Sequence, residues 1–230
     1  MKEKTIWREV WDRGKWILIL LAAFVLSQFP LGLSAWLTSR QFPLLQSGLL
    51  VGALSIVVLV VFIIGARKTK LATFNLSFFK AQDLARLVLS YLVIFATNLL
   101  GSALLRMMNE STTSNQTTIN NLVQNSSLIS SFFLLVLIAP ICEEILCRGI
   151  IPKKIFRGKE KLGYLVGAVV FALLHTPTNL PSLLIYGGMS TVLTWTAYRT
   201  ERLEMSILLH MIVNGIAFCL LALLVLISRN

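Results

Sequence analysis

Long apolar stretches dominate the chain, and its polar residues collect in short segments between them. Three stretches without a charged residue, at 16–39, 41–66 and 87–105, are near or above the ~20 residues that a helix needs to cross a bilayer. A polar segment at 106–127 predicts a loop. A further apolar segment begins at residue 128 and runs through Ile138, Pro140 and the two glutamates, and others follow at 162–175, 180–198 and 206–228. The pattern predicts an all-α polytopic membrane helix bundle with about seven transmembrane helices, formed by one integral membrane domain over residues 1–230.

Basic residues lie almost entirely on one side of this predicted bundle. Of the 21 Lys and Arg residues, 17 fall in the segments 1–15, 67–86, 153–161 and 199–202. Cytoplasmic segments of membrane proteins carry this excess, so we expect a cytoplasmic N-terminus in a multi-pass protein of the cell membrane, here a bacterial plasma membrane. The same topology explains the net charge of +11 without a nucleic-acid partner. We expect membrane lipid to be the partner that surrounds the helices.

The three cysteines, Cys142, Cys147 and Cys219, are odd in number and lie within apolar segments. This placement argues against a disulfide framework. We expect them to pack as small apolar residues.

Two adjacent carboxylates, Glu143 and Glu144, lie inside the apolar segment that begins at residue 128. A charge near the bilayer centre costs at least ~2.5–3.5 kcal/mol, so such residues usually have a function. Glu144 and Arg148 are spaced i,i+4 and can pair on one helix face, which leaves Glu143 free to act as a general base. The alternative is that both glutamates only balance Arg148.

The two histidines of the chain lie in later apolar segments. If the chain turns at residues 158–161, Glu143 and His175 each lie about 15 residues from the turn and can face one another in the inner half of the membrane. Phe171, one turn before His175, can shield the imidazole. Water must then reach the cluster from the cytoplasmic face.

His210 and Asn214 are also spaced i,i+4, so both can donate hydrogen bonds to one point. Such donors could hold a developing oxyanion. A polar contact between two transmembrane helices is the alternative interpretation.

Together, E-E-I-L-C-R at 143–148, F-A-L-L-H at 171–175 and H-M-I-V-N at 210–214 resemble the CPBP family of intramembrane proteases. This family includes the type II CAAX prenyl endopeptidases and bacteriocin-processing or immunity (Abi) homologues. The resemblance covers a CPBP-like catalytic core at residues 128–225 and implies hydrolysis of a peptide bond at the membrane without a covalent intermediate.

The resemblance also implies a role for each motif residue. Glu143 and His175 would activate water, and His210 and Asn214 would stabilise the oxyanion. Glu144 and Arg148 would support them electrostatically. The family pattern usually has an aromatic residue where this chain has Cys147, which we expect to affect packing more than chemistry.

Cofactor and substrate stay open at this point. Glu143, His175 and His210 could bind Zn²⁺ as in a metalloprotease, although no H-E-x-x-H helix is present, and a metal-free glutamate mechanism is equally compatible. The substrate is a membrane-associated peptide or protein, in peptide maturation or bacteriocin self-immunity, and the oligomeric state is open. Two other functions compete with a protease: a non-proteolytic scaffold or regulator of a sensor kinase, and a small-solute transporter.

Overall fold

The computed structural model describes residues 2–75, 77 and 79–229, and all regular structure in these ranges is helical. The predicted all-α membrane bundle is therefore confirmed. The helices are α1 (Lys2–Ser39), α2 (Leu44–Lys68), α3 (Ala81–Met107), α4 (Ser114–Asn125), α5 (Leu128–Ile155), α6 (Glu160–Leu174), α7 (Leu180–Thr200) and α8 (Leu203–Arg229).

Five helices of the described chain are long and apolar enough to cross a membrane: α1, α2, α3, α5 and α8. The other two of the seven predicted spans form α6 and α7. With 15 residues, α6 is about 22 Å long and falls short of the ~30 Å hydrocarbon layer. α7 has 21 residues but contains several Ser, Thr and Gly residues, which lower its mean hydropathy.

The polar segment at 106–127 contains a helix, α4, where the sequence predicted only a loop. Thr113 caps its N-terminus, since the Thr113 hydroxyl accepts a hydrogen bond from the backbone N–H of Gln116 at 3.1 Å. Only Val123 of this helix is a buried residue. The prediction of a loop was wrong because only three residues of this helix are apolar, Ile119, Leu122 and Val123. Their i,i+3,i+4 spacing is helical but too short a pattern to stand out in a segment rich in Ser, Thr and Asn.

Two ends of the bundle are distinguished by their charge. At the basic end, made of residues 67–80, 153–161 and 199–204, the Lys154 ammonium donates to the Thr69 carbonyl at 2.7 Å. At the opposite α4 end, made of residues 40–43, 108–127 and 175–179, the Asn179 amide donates to the Glu110 carboxylate at 2.8 Å. By the positive-inside rule, we expect the basic end to face the cytoplasm.

α5 lies at the centre of the bundle. Over its most apolar stretch 56% of residues are buried, against 6–39% for the other four spans. Its α-helical turn Ala139–Glu144 lies between π-helical stretches at Phe133–Ile138 and Ile145–Ile155. π-Helical turns are uncommon and often occur at functional sites.

Candidate active site

A fully buried ion pair joins Glu144 and Arg148 within α5. The guanidinium donates from Nη1 to Oε1 of Glu144 at 2.9 Å, and the two side chains are 0% and 1% exposed. The pairing predicted from their i,i+4 spacing is therefore present. Arg148 also donates to the Ser190 carbonyl and hydroxyl at 3.0 and 2.8 Å and to the Thr194 hydroxyl at 3.2 Å. α7 thus supplies the remaining acceptors that a buried guanidinium requires.

His210 is bound to the same carboxylate. Its Nδ1 lies 3.0 Å from Oε1 of Glu144, while the Ser206 hydroxyl donates to Oε2 of Glu144 at 2.5 Å. A carboxylate paired with arginine accepts hydrogen bonds, so Nδ1 of His210 carries a proton. The imidazole is thereby fixed in orientation, and Nε2 is available on its other side.

Glu143 lies on that other side. Its Oε2 atom is 4.0 Å from Nε2 of His210, is buried and has no hydrogen-bond partner among the described residues. The Glu143 side chain as a whole is 29% exposed. A separation of 4.0 Å is too long for a direct hydrogen bond, but one water molecule can bond to both atoms at this distance.

Phe171 separates the two histidines. Its ring lies 4.5 Å from the His175 ring and 5.5 Å from the His210 ring, measured between centroids. Its face also contacts the guanidinium of Arg148, with Cζ 4.2 Å from the ring centroid. Phe171 is fully buried, so it shields His175 as predicted and packs against three polar side chains at once.

His175 follows α6 and is held by different partners from those of His210. Its Nδ1 lies 2.8 Å from the Phe171 carbonyl, and its ring stacks on Tyr186 at 4.8 Å. Within the described chain, no ion pair joins His175 to a carboxylate. The structure therefore brings His210, rather than His175, next to Glu143.

The turn before α6 explains why His175 does not lie next to Glu143. α5 ends at Ile155 and α6 begins at Glu160, so the chain turns between these residues, earlier than the predicted turn at 158–161. Gly167 packs against the Cys147 backbone and Gly163 against Pro152, which places Phe171 level with the glutamates. His175 lies one helical turn further toward the α4 end.

Asn214 lies one turn beyond His210 on α8. Its Nδ2 donates to the Leu135 carbonyl in the first π-helical stretch at 3.0 Å. Asn214 and His175 both line a cavity of about 240 Å³ that extends to residues 111–116 at the α4 end. A cavity of about 390 Å³ at the basic end contains none of the candidate residues. The cavity at the basic end therefore does not provide the predicted cytoplasmic route for water to the candidate residues.

The three candidate zinc ligands are not grouped. The described residues contain no cluster of three or more His, Cys, Asp or Glu side chains that could hold a metal ion. Glu143 and His210 are close, but His175 is held by Phe171 and Tyr186. A catalytic zinc site needs three protein ligands, so these positions do not fit one.

Comparison with protein families addresses this same region. Residues 125–216 match the type II CAAX prenyl endopeptidase Rce1-like family, and this range contains all three motifs. These residues are similar to that family, and we refer to them as the Rce1-like segment. The resemblance inferred from the motifs is therefore confirmed.

Three relatives of this chain come from Lactococcus. The chain is 34% identical over 132 residues to the UPF0177 protein YvdC of Lactococcus lactis subsp. lactis (strain IL1403), which is 56% of this chain and 49% of that protein. It is 38% identical over 78 residues to YaiH of the same strain (34% of this chain, 32% of that protein). It is 39% identical over 85 residues to the UPF0177 protein in the abiGi 5′ region of subsp. cremoris (37% and 35%). The chain thus spans about half the length of these relatives or less, and no solved structure matches.

Several polar residues of the Rce1-like segment were not predicted from the sequence. Ser206 lies one turn before His210 on the same face of α8, and this i,i+4 spacing was a usable signal. Ser190 and Thr194 have the same spacing on α7. Tyr186, which stacks on His175, had no comparable signal because its contact joins two helices.

Proposed function

We propose that the chain is an intramembrane endopeptidase that hydrolyses a peptide bond of a membrane-associated peptide or protein. The observation that carries this proposal is the unpaired, buried Oε2 atom of Glu143, 4.0 Å from Nε2 of His210. In this role Glu143 takes a proton from water as the resulting hydroxide attacks the carbonyl carbon. It then returns the proton to the leaving amine.

The partners of each histidine suggest how the two differ in role. The Phe171 carbonyl can only accept, so Nδ1 of His175 carries a proton and Nε2 is an acceptor in the neutral ring. We assign His175 to orienting the attacking water from the cavity side. His210 donates from Nδ1 to Glu144, and when both of its nitrogens are protonated Nε2–H can donate to the oxyanion.

Asn214 completes this arrangement. Only one of the two N–H bonds of its carboxamide is used by the Leu135 carbonyl, so the second can donate to the same oxyanion. Glu144 and Arg148 hold His210 in place rather than contact the substrate. Because the candidate zinc ligands are not grouped in the described chain, we assign the activation of water to Glu143 alone.

The location and biological substrate belong to the same proposal. We place the protein in a bacterial plasma membrane, in line with its relatives from Lactococcus. A peptide precursor in maturation and an attacking bacteriocin in self-immunity are the two substrate classes that we propose to test first.

The test compares the wild type with Glu143→Gln in cells that express equal amounts in the membrane. Peptide termini of membrane-associated proteins and peptides are identified by mass spectrometry. We expect a set of termini that is present with the wild type, absent with Glu143→Gln and retained with Glu9→Gln, which makes the same substitution at an exposed position of α1. Identical termini with and without Glu143 would support the scaffold alternative instead.

A further inference from the structure

The cavity that reaches the candidate site opens at one end of the bundle. His175 and Asn214 line its inner part, and Ser111, which is exposed, and Asn115 line its outer part. His210 lies one helical turn beyond Asn214. The cavity therefore connects the candidate site with the α4 end.

The cavity is polar but uncharged. Among the described residues that line it, none is Lys, Arg, Asp or Glu, and amide and hydroxyl side chains alternate with apolar ones. The Oδ1 atom of Asn98 in its wall is buried and has no hydrogen-bond partner. An acceptor of this kind fits a backbone N–H of an extended peptide, whereas an ammonium or carboxylate would lose its hydration without a counter-charge.

The distribution of charge identifies the side on which this cavity opens. The basic end carries Arg67, Lys70 and Lys153 around its own separate cavity. Cytoplasmic segments carry the excess of Lys and Arg, so the α4 end lies at the non-cytoplasmic face. The first cavity opens there.

We propose that the site takes its substrate from the non-cytoplasmic face, as an extended and uncharged peptide segment that enters between α4 and the ends of α3 and α8. This rests on the proposed protease function and names its side of access and substrate chemistry. The α4 helix forms the outer wall, where the Thr113 and Tyr186 hydroxyls are hydrogen-bonded at 2.5 Å. A volume of about 240 Å³ accommodates a short extended segment and not a folded domain.

The side of access is tested by cysteine labelling in intact cells. Ser111→Cys and Ser77→Cys are matched, because both replace an exposed serine, one at the α4 end and one at the basic end. Both are made in a Cys219→Ser background, since Cys219 is exposed and Cys142 and Cys147 are buried. We expect a membrane-impermeant maleimide to label Ser111→Cys in intact cells and Ser77→Cys only after permeabilisation. The reverse pattern would overturn the proposal.

The substrate chemistry is tested with Ser102→Cys, which lines the same cavity and leaves Asn98 intact. The variant is made in a Glu143→Gln, Cys219→Ser background, so that bound peptides are not cleaved and the exposed Cys219 is not labelled. A capped pentapeptide of alanine, leucine and asparagine should slow the labelling of this variant by N-ethylmaleimide about tenfold more than a matched peptide with two lysines. Equal protection, or none, would contradict the proposed chemistry. Labelling needs no catalysis, so these results are independent of whether the Glu143→Gln comparison supports a protease.

Discussion

Nε2 of His210 lies 4.0 Å from Oε2 of Glu143, while Nδ1 of the same ring lies 3.0 Å from Oε1 of Glu144. Two adjacent carboxylates therefore contact opposite sides of one imidazole. Glu144 is paired with Arg148, and Oε2 of Glu143 has no partner in the described part of the chain. Neighbouring residues of one helix thus have different partners around the same imidazole.

The position of the Glu143 carboxylate should be critical. Glu143→Asp keeps the charge but withdraws the carboxylate from Nε2 of His210 by one methylene. We expect kcat to fall about 10²-fold, because misplacement by about 1 Å can cost that much. The rate is measured by single-turnover cleavage of a substrate that the mass-spectrometric comparison of peptide termini has identified. Wild-type kcat in this variant would show that Glu143 does not act on the water.

Ser206 should act as a positioning residue for His210 through Glu144. Ser206→Ala removes the hydrogen bond to Oε2 of Glu144, and we expect the free energy of unfolding to fall by about 1–3 kcal/mol. The measurement is thermal unfolding in detergent, with the pH profile of kcat as a second readout. Ser228→Ala is the control, since that hydroxyl bonds only to the Val225 carbonyl. Equal effects of the two substitutions would argue against this role.

The buried ion pair should destabilise the protein strongly when only one partner is removed. Arg148→Met leaves the buried Glu144 without its arginine counter-charge, and we expect a loss of about 3–5 kcal/mol in the free energy of unfolding. Glu144→Leu combined with Arg148→Met should regain part of that stability without regaining cleavage. Chemical unfolding in detergent micelles compares the three proteins. A double variant no more stable than Arg148→Met would show that the charge is not the cause.

Close packing of α6 on α5 should depend on Gly167. A Cβ atom at this position would collide with the carbonyl oxygen of Cys147, so Gly167→Ala should separate the helices and cost about 1–3 kcal/mol. At Gly187 a Cβ meets no atom within 4 Å, and Gly187→Ala should be neutral or stabilise α7 by about 0.5–1 kcal/mol. Melting temperatures of the two variants, measured side by side, test this. Equal destabilisation would contradict it.

Chelation should leave cleavage unchanged. Glu143, His175 and His210 are not grouped as three ligands in the described chain, and a catalytic zinc requires such a group. We therefore expect the kcat of purified protein to survive dialysis against EDTA, with total zinc measured before and after. Loss of activity that is restored by added Zn²⁺ would show that the ligands assemble when substrate binds.

Contacts within one helix were predictable from the sequence. The Glu144–Arg148 pair and the one-turn spacing of His210 and Asn214 follow from the helical period alone. The α4 helix was missed because its few apolar residues lie in a segment dominated by Ser, Thr and Asn, and Ser206 was missed although it has the same spacing from His210. Partners on other helices, such as Ser190 for Arg148, could not be predicted because they depend on how helices rotate against one another.

By itself, the sequence determined a membrane helix bundle and the three motifs, because hydrophobicity and helical period are local properties. The tertiary structure alone decided that His210 rather than His175 lies beside Glu143, and that the cavity opens at the α4 end. The turn before α6 and the contact of Gly167 with Cys147 set the relative depth of two helices. A shift of one helical turn, about 5.4 Å, between two helices changes which imidazole lies beside Glu143. No local sequence pattern encodes such a shift.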